Sequence, residues 1–213
     1  GPGATAVTKE IPQGVQTDLF GNIIETAAPA KTTSNNDSED GPSLSVEHNI
    51  NNTPHHYEAV EGDAAIKKLV AELKKHKEIC FDTETTGIDA NEAELVGLSF
   101  SVNPGEAWYV PCPADQSATK AILAHFEPLF DSPDITWIGQ NTKYDLLLLK
   151  WYGIEPAGKI FDTMLAHYVI EPDGKRSMDL LAEKYLGYEP VHIEELIGKK
   201  GKTQGTMRDV EIE

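Results

Sequence analysis

Basic residues are scarce in this 213-residue chain: 18 Lys and Arg stand against 35 Asp and Glu, leaving a formal net charge of −17. A protein that grips duplex DNA through its own field needs clustered Lys and Arg to displace counterions, so that mode of binding is excluded. Nucleic acid as such is not, because surplus carboxylates serve as ligands for divalent ions, and a bound ion reverses the local field so that a phosphate can approach. Cysteine is almost absent. Cys80 and Cys112 form neither a Cys-x-x-Cys pair nor a disulfide framework, which fits free thiols in a reducing, cytoplasmic setting. No run of eighteen apolar residues occurs and the first residues carry no basic-then-apolar pattern, so neither a helical membrane span nor a secretory leader is expected. The chain opens on Gly1-Pro2 rather than Met, which reads as a cleavage scar and makes a piece of a larger protein the expectation. A soluble monomer without membrane contact follows.

Regular hydrophobic periodicity is also missing from the first 56 residues. Stretches such as KTTSNNDSEDGPS and NINNTPHH are built from Ser, Thr, Asn, Asp, Gly and Pro, a composition that cannot bury enough apolar surface to offset its ordering entropy. Residues 1–56 are accordingly expected to be a disordered interdomain linker, with one apolar island, TDLFGNII. From Gly62 the texture changes. Ala65, Ile66, Leu69, Val70 and Leu73 recur at helical spacing between Lys67, Lys68, Lys74 and Lys75, predicting an amphipathic helix. EICFDTE, AELVGLSFSV and EAWYVPC follow as three strands with short connections, an antiparallel meander. SATKAILAHFEPLF then reads as a helix, TWIGQ as a short buried strand and NTKYDLLLLKWYG as a helix closed by Gly153. FDTMLAHYVI and SMDLLAEKYLG supply two more helices, the second capped by Ser177 and ended by Gly187. The order describes an α/β domain over residues 57–213, with a mixed sheet flanked by helices.

Two acidic groups stand out by placement. Asp82 and Glu84 are two apart at the end of the apolar run Ile79-Cys80-Phe81, so in a strand both side chains point to one face. Like charges at the end of a core strand are costly unless a cation neutralises them, and oxygen-only ligands suit Mg²⁺ or Mn²⁺. The same pair also suits an exposed strand end with two solvated acids. Asn141 and Asp145, four apart in GQNTKYD, are expected on one helical face turned towards Asp82, although an acid in a first helical turn is commonplace for dipole reasons alone. Trp108, Trp137 and Trp151 read as core or rim packing, and GKKGKTQG as a basic loop.

The succession FDTETTGID, GQNTKYD and FDTMLAHYVIEPDGKRSMDLLAEKYLG resembles the 3′-to-5′ proofreading exonuclease domain of bacterial family A DNA polymerases, a branch of the DEDD superfamily with a ribonuclease-H-like fold. The resemblance runs from about Glu58 to Glu213. It implies that Asp82 and Glu84 are the first motif, Asn141 and Asp145 the second, that Asp82, Glu84 and Asp145 are catalytic metal ligands, and that Thr85, Ile88 and Asn141 face the substrate, with Ile88 wedged against the terminal base. It further implies Mg²⁺ or Mn²⁺, two ions in the complete site, the 3′ end of single-stranded DNA as substrate, and a polymerase domain and a 5′ nuclease domain in the same full-length chain. The family's third motif, Tyr-x-x-x-Asp, has no match in this sequence, since Tyr57 and Tyr185 are each followed four residues later by Glu. The domain is therefore expected to stop before that motif and to be weakly active or inactive. A ribonuclease-D-like enzyme acting on RNA, and a catalytically silent spacer or DNA-binding platform, are the alternatives.

Overall fold

The computed structural model describes residues 46–199, 201 and 203–212; the apolar island at residues 17–24 and most of the expected linker lie outside them. Among the described residues a six-stranded mixed sheet has the order β2-β5-β4-β3-β6-β7. Its centre is the expected meander. β3 (Glu78–Thr85) runs antiparallel to β4 (Leu95–Asn103), which runs antiparallel to β5 (Glu106–Pro111). β6 (Thr136–Gly139) lies parallel to β3, β7 (Lys159–Asp162) parallel to β6, and β2 (His56–Ala59) parallel to β5. A two-residue strand β1 (His48–Asn49) pairs with β8 (Tyr188–Glu189). Residue 57, the expected start of the domain, falls after β1 and inside β2.

β3 shows why the sheet positions two acids. Its odd-numbered residues Ile79, Phe81 and Thr83 are buried, whereas the even-numbered row of Glu78, Cys80, Asp82 and Glu84 is not. The odd row joins one core with Leu98 and Phe100 of β4, Val110 of β5 and Trp137 of β6. Helices close over that face: Ile66, Leu69 and Leu73 of α1 (Asp63–Leu73), Leu123 of α2 (Gln116–Ala124), Phe130 of α3 (Glu127–Phe130), and Leu148 and Leu149 of α4 (Thr142–Trp151). Trp137 is fully buried, stacked on Phe130 (ring centroids 4.6 Å apart) and edge-on to Phe81 (5.4 Å). Trp137→Ala is expected to cost about 3–5 kcal/mol, seen as a lower urea midpoint with an unchanged slope.

The remaining elements are α5 (Thr163–Ile170), α6 (Met178–Leu186), α7 (Ile193–Ile197) and a 3₁₀ turn at Met207–Asp209. Ser177 caps α6 by accepting from the Leu180 N–H, and Gly187 ends it in the left-handed region at φ 59°, as the sequence pattern predicts. Two expectations need correction. SATKAILAHFEPLF is two helices rather than one, because Pro128, at the start of α3, lacks an N–H and its ring would clash with the carbonyl four residues back in a continuous helix. Phe161 and Asp162 belong to β7 rather than to the following helix, which begins at Thr163. Arg208 anchors the 3₁₀ turn to the sheet end by donating from its two Nη atoms to the Cys112 and Leu95 carbonyls (3.1 and 3.0 Å).

Candidate active site

Asp82 and Glu84 share the open row of β3, with Thr83 between them turned into the core. Asp145, in the first turn of α4, is only 3% exposed. Its Oδ1 accepts both the Thr83 N–H (3.1 Å) and the Thr83 hydroxyl (2.5 Å). The third carboxylate is thus held against the backbone unit that separates the other two. The Asp145 charge acts on both Asp82 and Glu84.

Electrostatics follow from that placement. Burial, then the charges of Asp145 and Glu84, push the Asp82 carboxyl up to about 7, with the Thr83 N–H acting weakly the other way. Burial and the Asp145 charge raise Glu84. Burial also raises Asp145, against the Thr83 hydrogen bonds that favour its ionised form. Among the described residues, none of the ion pairs within 4 Å involves any of these three acids. Nor, among those residues, do three such side chains close on one point as a ready-made ion cage. Three mutually repelling carboxylates without a cation have reason to stand apart, and an all-oxygen donor set with unrelieved charge fits a hard divalent ion. Asp82, Glu84 and Asp145 are the residues that would hold it.

The other expected residues fall differently. Thr85 ends β3, and its hydroxyl lies 2.8 Å from the Tyr144 hydroxyl; both reach the Gly87 carbonyl, at 2.8 and 2.5 Å. That tie holds the loop after β3, where Ile88 is 98% exposed. Asn141 does not share the buried face of α4 with Asp145. It precedes the helix with φ 56°, and its side chain is exposed and makes no cap hydrogen bond. The turn out of β6 forces this left-handed residue, a conformation Asn tolerates better than most. Thr142 takes the expected place on the face, three residues before Asp145 and equally buried.

Several residues at the site had no part in the sequence reading. Thr83 was hidden by its neighbours, although a hydroxyl between two acids in a strand is a signal. Tyr144 adjoins Asp145. Tyr109 lies beside Glu84, whose charge adds to burial in pushing the phenol up to about 12. Gly97 makes room for it: a Cβ there would sit inside the Tyr109 ring, less than 2.5 Å from its atoms. Of the tryptophans, Trp137 is core, Trp108 half-buried and Trp151 exposed. Both cysteines are free, Cys112 buried and Cys80 exposed.

Comparison with known proteins gives this geometry a family. A family model described as 3′-5′ exonuclease, of the family A DNA polymerase type, matches residues 57–209. DNA polymerase I of Pseudomonas aeruginosa is 38% identical over 166 residues, covering 74% of this chain and 18% of the polymerase. DNA polymerase I of Borreliella burgdorferi is 39% identical over 147 residues, covering 67% of this chain and 16% of the polymerase. The chain therefore spans less than a fifth of the length of these relatives. Among solved structures, a mutant of the catalytic core of RRP6 from Trypanosoma brucei superposes with a TM-score of 0.55 at 20% identity, covering 81% of this chain and 42% of that one, which shows a shared fold. With the matched region taking in well over half of the chain, the chain belongs to the 3′-5′ exonuclease family of family A DNA polymerases.

Proposed function

We propose that this chain is the proofreading domain of a DNA polymerase I and hydrolyses the 3′-terminal phosphodiester of single-stranded DNA, releasing a nucleoside 5′-monophosphate. The observation that carries the proposal is the Asp145 carboxylate seated on Thr83 between Asp82 and Glu84. Asp82, Glu84 and Asp145 would hold a divalent ion, Mg²⁺ or Mn²⁺, which when bound would supply Lewis acidity for the phosphoryl oxygens and lower the pKa of water. The protein's own part is to hold three carboxylates ready at the end of a rigid sheet. Near pH 7 the raised Asp82 is in part protonated, so a cation binding there would displace a proton that an ordinary aspartate has already released. Ile88, exposed on a loop clamped by Tyr144, offers an apolar face to the last base and favours a frayed end over a paired one. The polymerase and 5′ nuclease domains are proposed as parts of the same full-length chain, on the strength of relatives that this chain matches only over 16–18% of their length.

The test is shortening of a 5′-labelled single-stranded DNA oligonucleotide in Mg²⁺ or Mn²⁺. Stepwise loss from the 3′ end, abolished by EDTA, is the expected result. Equal digestion of an RNA oligonucleotide of matching sequence favours the ribonuclease-D-like reading, and digestion of neither strand the silent platform. Ile88→Ala is expected to raise KM for the oligonucleotide several-fold while changing stability by less than about 0.5 kcal/mol, which steady-state kinetics and urea unfolding check separately.

A further inference from the structure

The tripeptide Phe-Asp-Thr occurs twice, at residues 81–83 and 161–163, and the two aspartates have opposite surroundings. Asp82 faces other carboxylates. Asp162 ends β7, is buried, and is ringed by hydrogen-bond donors, while its charge also reaches Asp145. Its Oδ1 accepts the N–H groups of Met164 (2.9 Å) and Leu165 (3.2 Å), capping α5, and also the N–H of Asn141 (3.2 Å). Its Oδ2 accepts the N–H and the hydroxyl of Thr142, each at 2.9 Å. A helix cap ordinarily satisfies one or two N–H groups of its own helix. This carboxylate takes five donors from the starts of two helices.

The second helix needs that service. α4 has no side-chain cap of its own, since Asn141 makes none, and its orphan N–H groups are met from the neighbouring strand. The turn leading into α4 is further tied by the Thr163 hydroxyl, which donates within reach of the Gly139 carbonyl (3.0 Å) and the Gln140 side-chain oxygen (2.5 Å). It is also packed tightly: a Cβ on Gly139 would meet Thr142 Cγ2 at 2.6 Å and the Phe81 carbonyl at 3.1 Å. Thr142 and Asp145 lie one turn apart on the buried face of α4. Whatever fixes Thr142 fixes the rotation of that turn, and with it the point from which Asp145 reaches Thr83.

We propose that Asp162 is a positioning residue for Asp145: by capping α4 and α5 at once it locks the first turn of α4 so that the Asp145 carboxylate meets the Thr83 N–H and hydroxyl beside Asp82 and Glu84. With its lone pairs taken by five donors, Asp162 is neither an ion ligand nor a base. The inference rests on reading those three acids as the ion site, and its test separates the two. In Asp162→Asn the side-chain oxygen still caps α5, Asn being as good a cap as Asp, but the amide nitrogen has no lone pair to offer Thr142. The control is Asp115→Asn, a simple cap of α2 that accepts only from the Ala118 N–H (2.8 Å).

Amide hydrogen exchange on the whole metal-free chain is the first measurement. The Thr83 amide and the first turn of α4 are expected to exchange at least about tenfold faster in Asp162→Asn, while the first turn of α5 keeps its protection. The second is Mn²⁺ titration by calorimetry, expected to show about 10- to 100-fold weaker binding in Asp162→Asn and unchanged binding in Asp115→Asn. Unchanged exchange at Thr83 overturns the positioning role whether or not Mn²⁺ binds. Equal weakening of Mn²⁺ binding by Asp115→Asn also overturns it, since any cap loss would then suffice. Failure of the unmutated chain to bind Mn²⁺, with the exchange effect present, contradicts the ion-site reading and leaves the positioning role supported.

Discussion

Asp82→Asn is expected to make the metal-free chain more stable at pH 8 and to remove its stabilisation by Mn²⁺. The folded Asp82 carboxyl is pushed up to about 7, from an ordinary value of 3.8, by burial and by the Asp145 and Glu84 charges. Between those two values the folded state holds a proton that the unfolded state has released, so stability falls as pH rises through the window. Above about pH 7 the full penalty is present, on the order of 4 kcal/mol. Asparagine mimics the protonated form and escapes it. The stability difference between the variant and the parent, from urea unfolding in EDTA, should be near zero at pH 4, grow to pH 7 and level off beyond. A difference that stays flat with pH would show that Asp82 is an ordinary solvated acid. With Mn²⁺ added at pH 8 the order should reverse, because an ion that binds only the folded parent stabilises it by mass action.

Asp145→Asn should leave the fold intact and slow 3′-end digestion at least about 100-fold, comparable with the loss of a single preorganised electrostatic group. The Asn side-chain oxygen can still accept the two bonds from Thr83, so geometry survives while the charge is lost. Asp145→Ala separates the two roles further. It strands the Thr83 N–H and hydroxyl in the core, an additional cost of about 1–3 kcal/mol, so it should lose stability as well as rate. Digestion by Asp145→Asn at the parent rate would remove Asp145 from the site.

How far the fold could be read in advance depended on the length of each element. The meander of β3, β4 and β5 and the helices α1, α4 and α6 carry strong periodicity or clear caps, and each was legible. β2 and β7 have four residues each, β1 and β8 only two, too few to show alternation; their strand character is set by the neighbour that pairs with them. Asp82 and Glu84 were legible because a two-residue period needs only the strand to be right. Asp145 was legible from its motif, but Asn141 was misplaced because helical periodicity was extended one residue beyond the left-handed turn that starts α4. Asp162 escaped notice because its partners Asn141 and Thr142 are about 20 residues away in sequence and meet it only once β7 lies beside β6. The repeated Phe-Asp-Thr was the available signal, and it marks two carboxylates with opposite tasks.

The most direct test of the central claim, that Asp82, Glu84 and Asp145 together hold a divalent ion, is paramagnetic broadening of the isotope-labelled chain by substoichiometric Mn²⁺. Amide signals of Thr83 to Thr85 and of Tyr144 to Asp145 should broaden first and together, and their broadening should disappear in Asp82→Asn. Broadening that begins instead at a solvated acidic stretch such as Glu194-Glu195, or that persists unchanged in Asp82→Asn, would contradict the account.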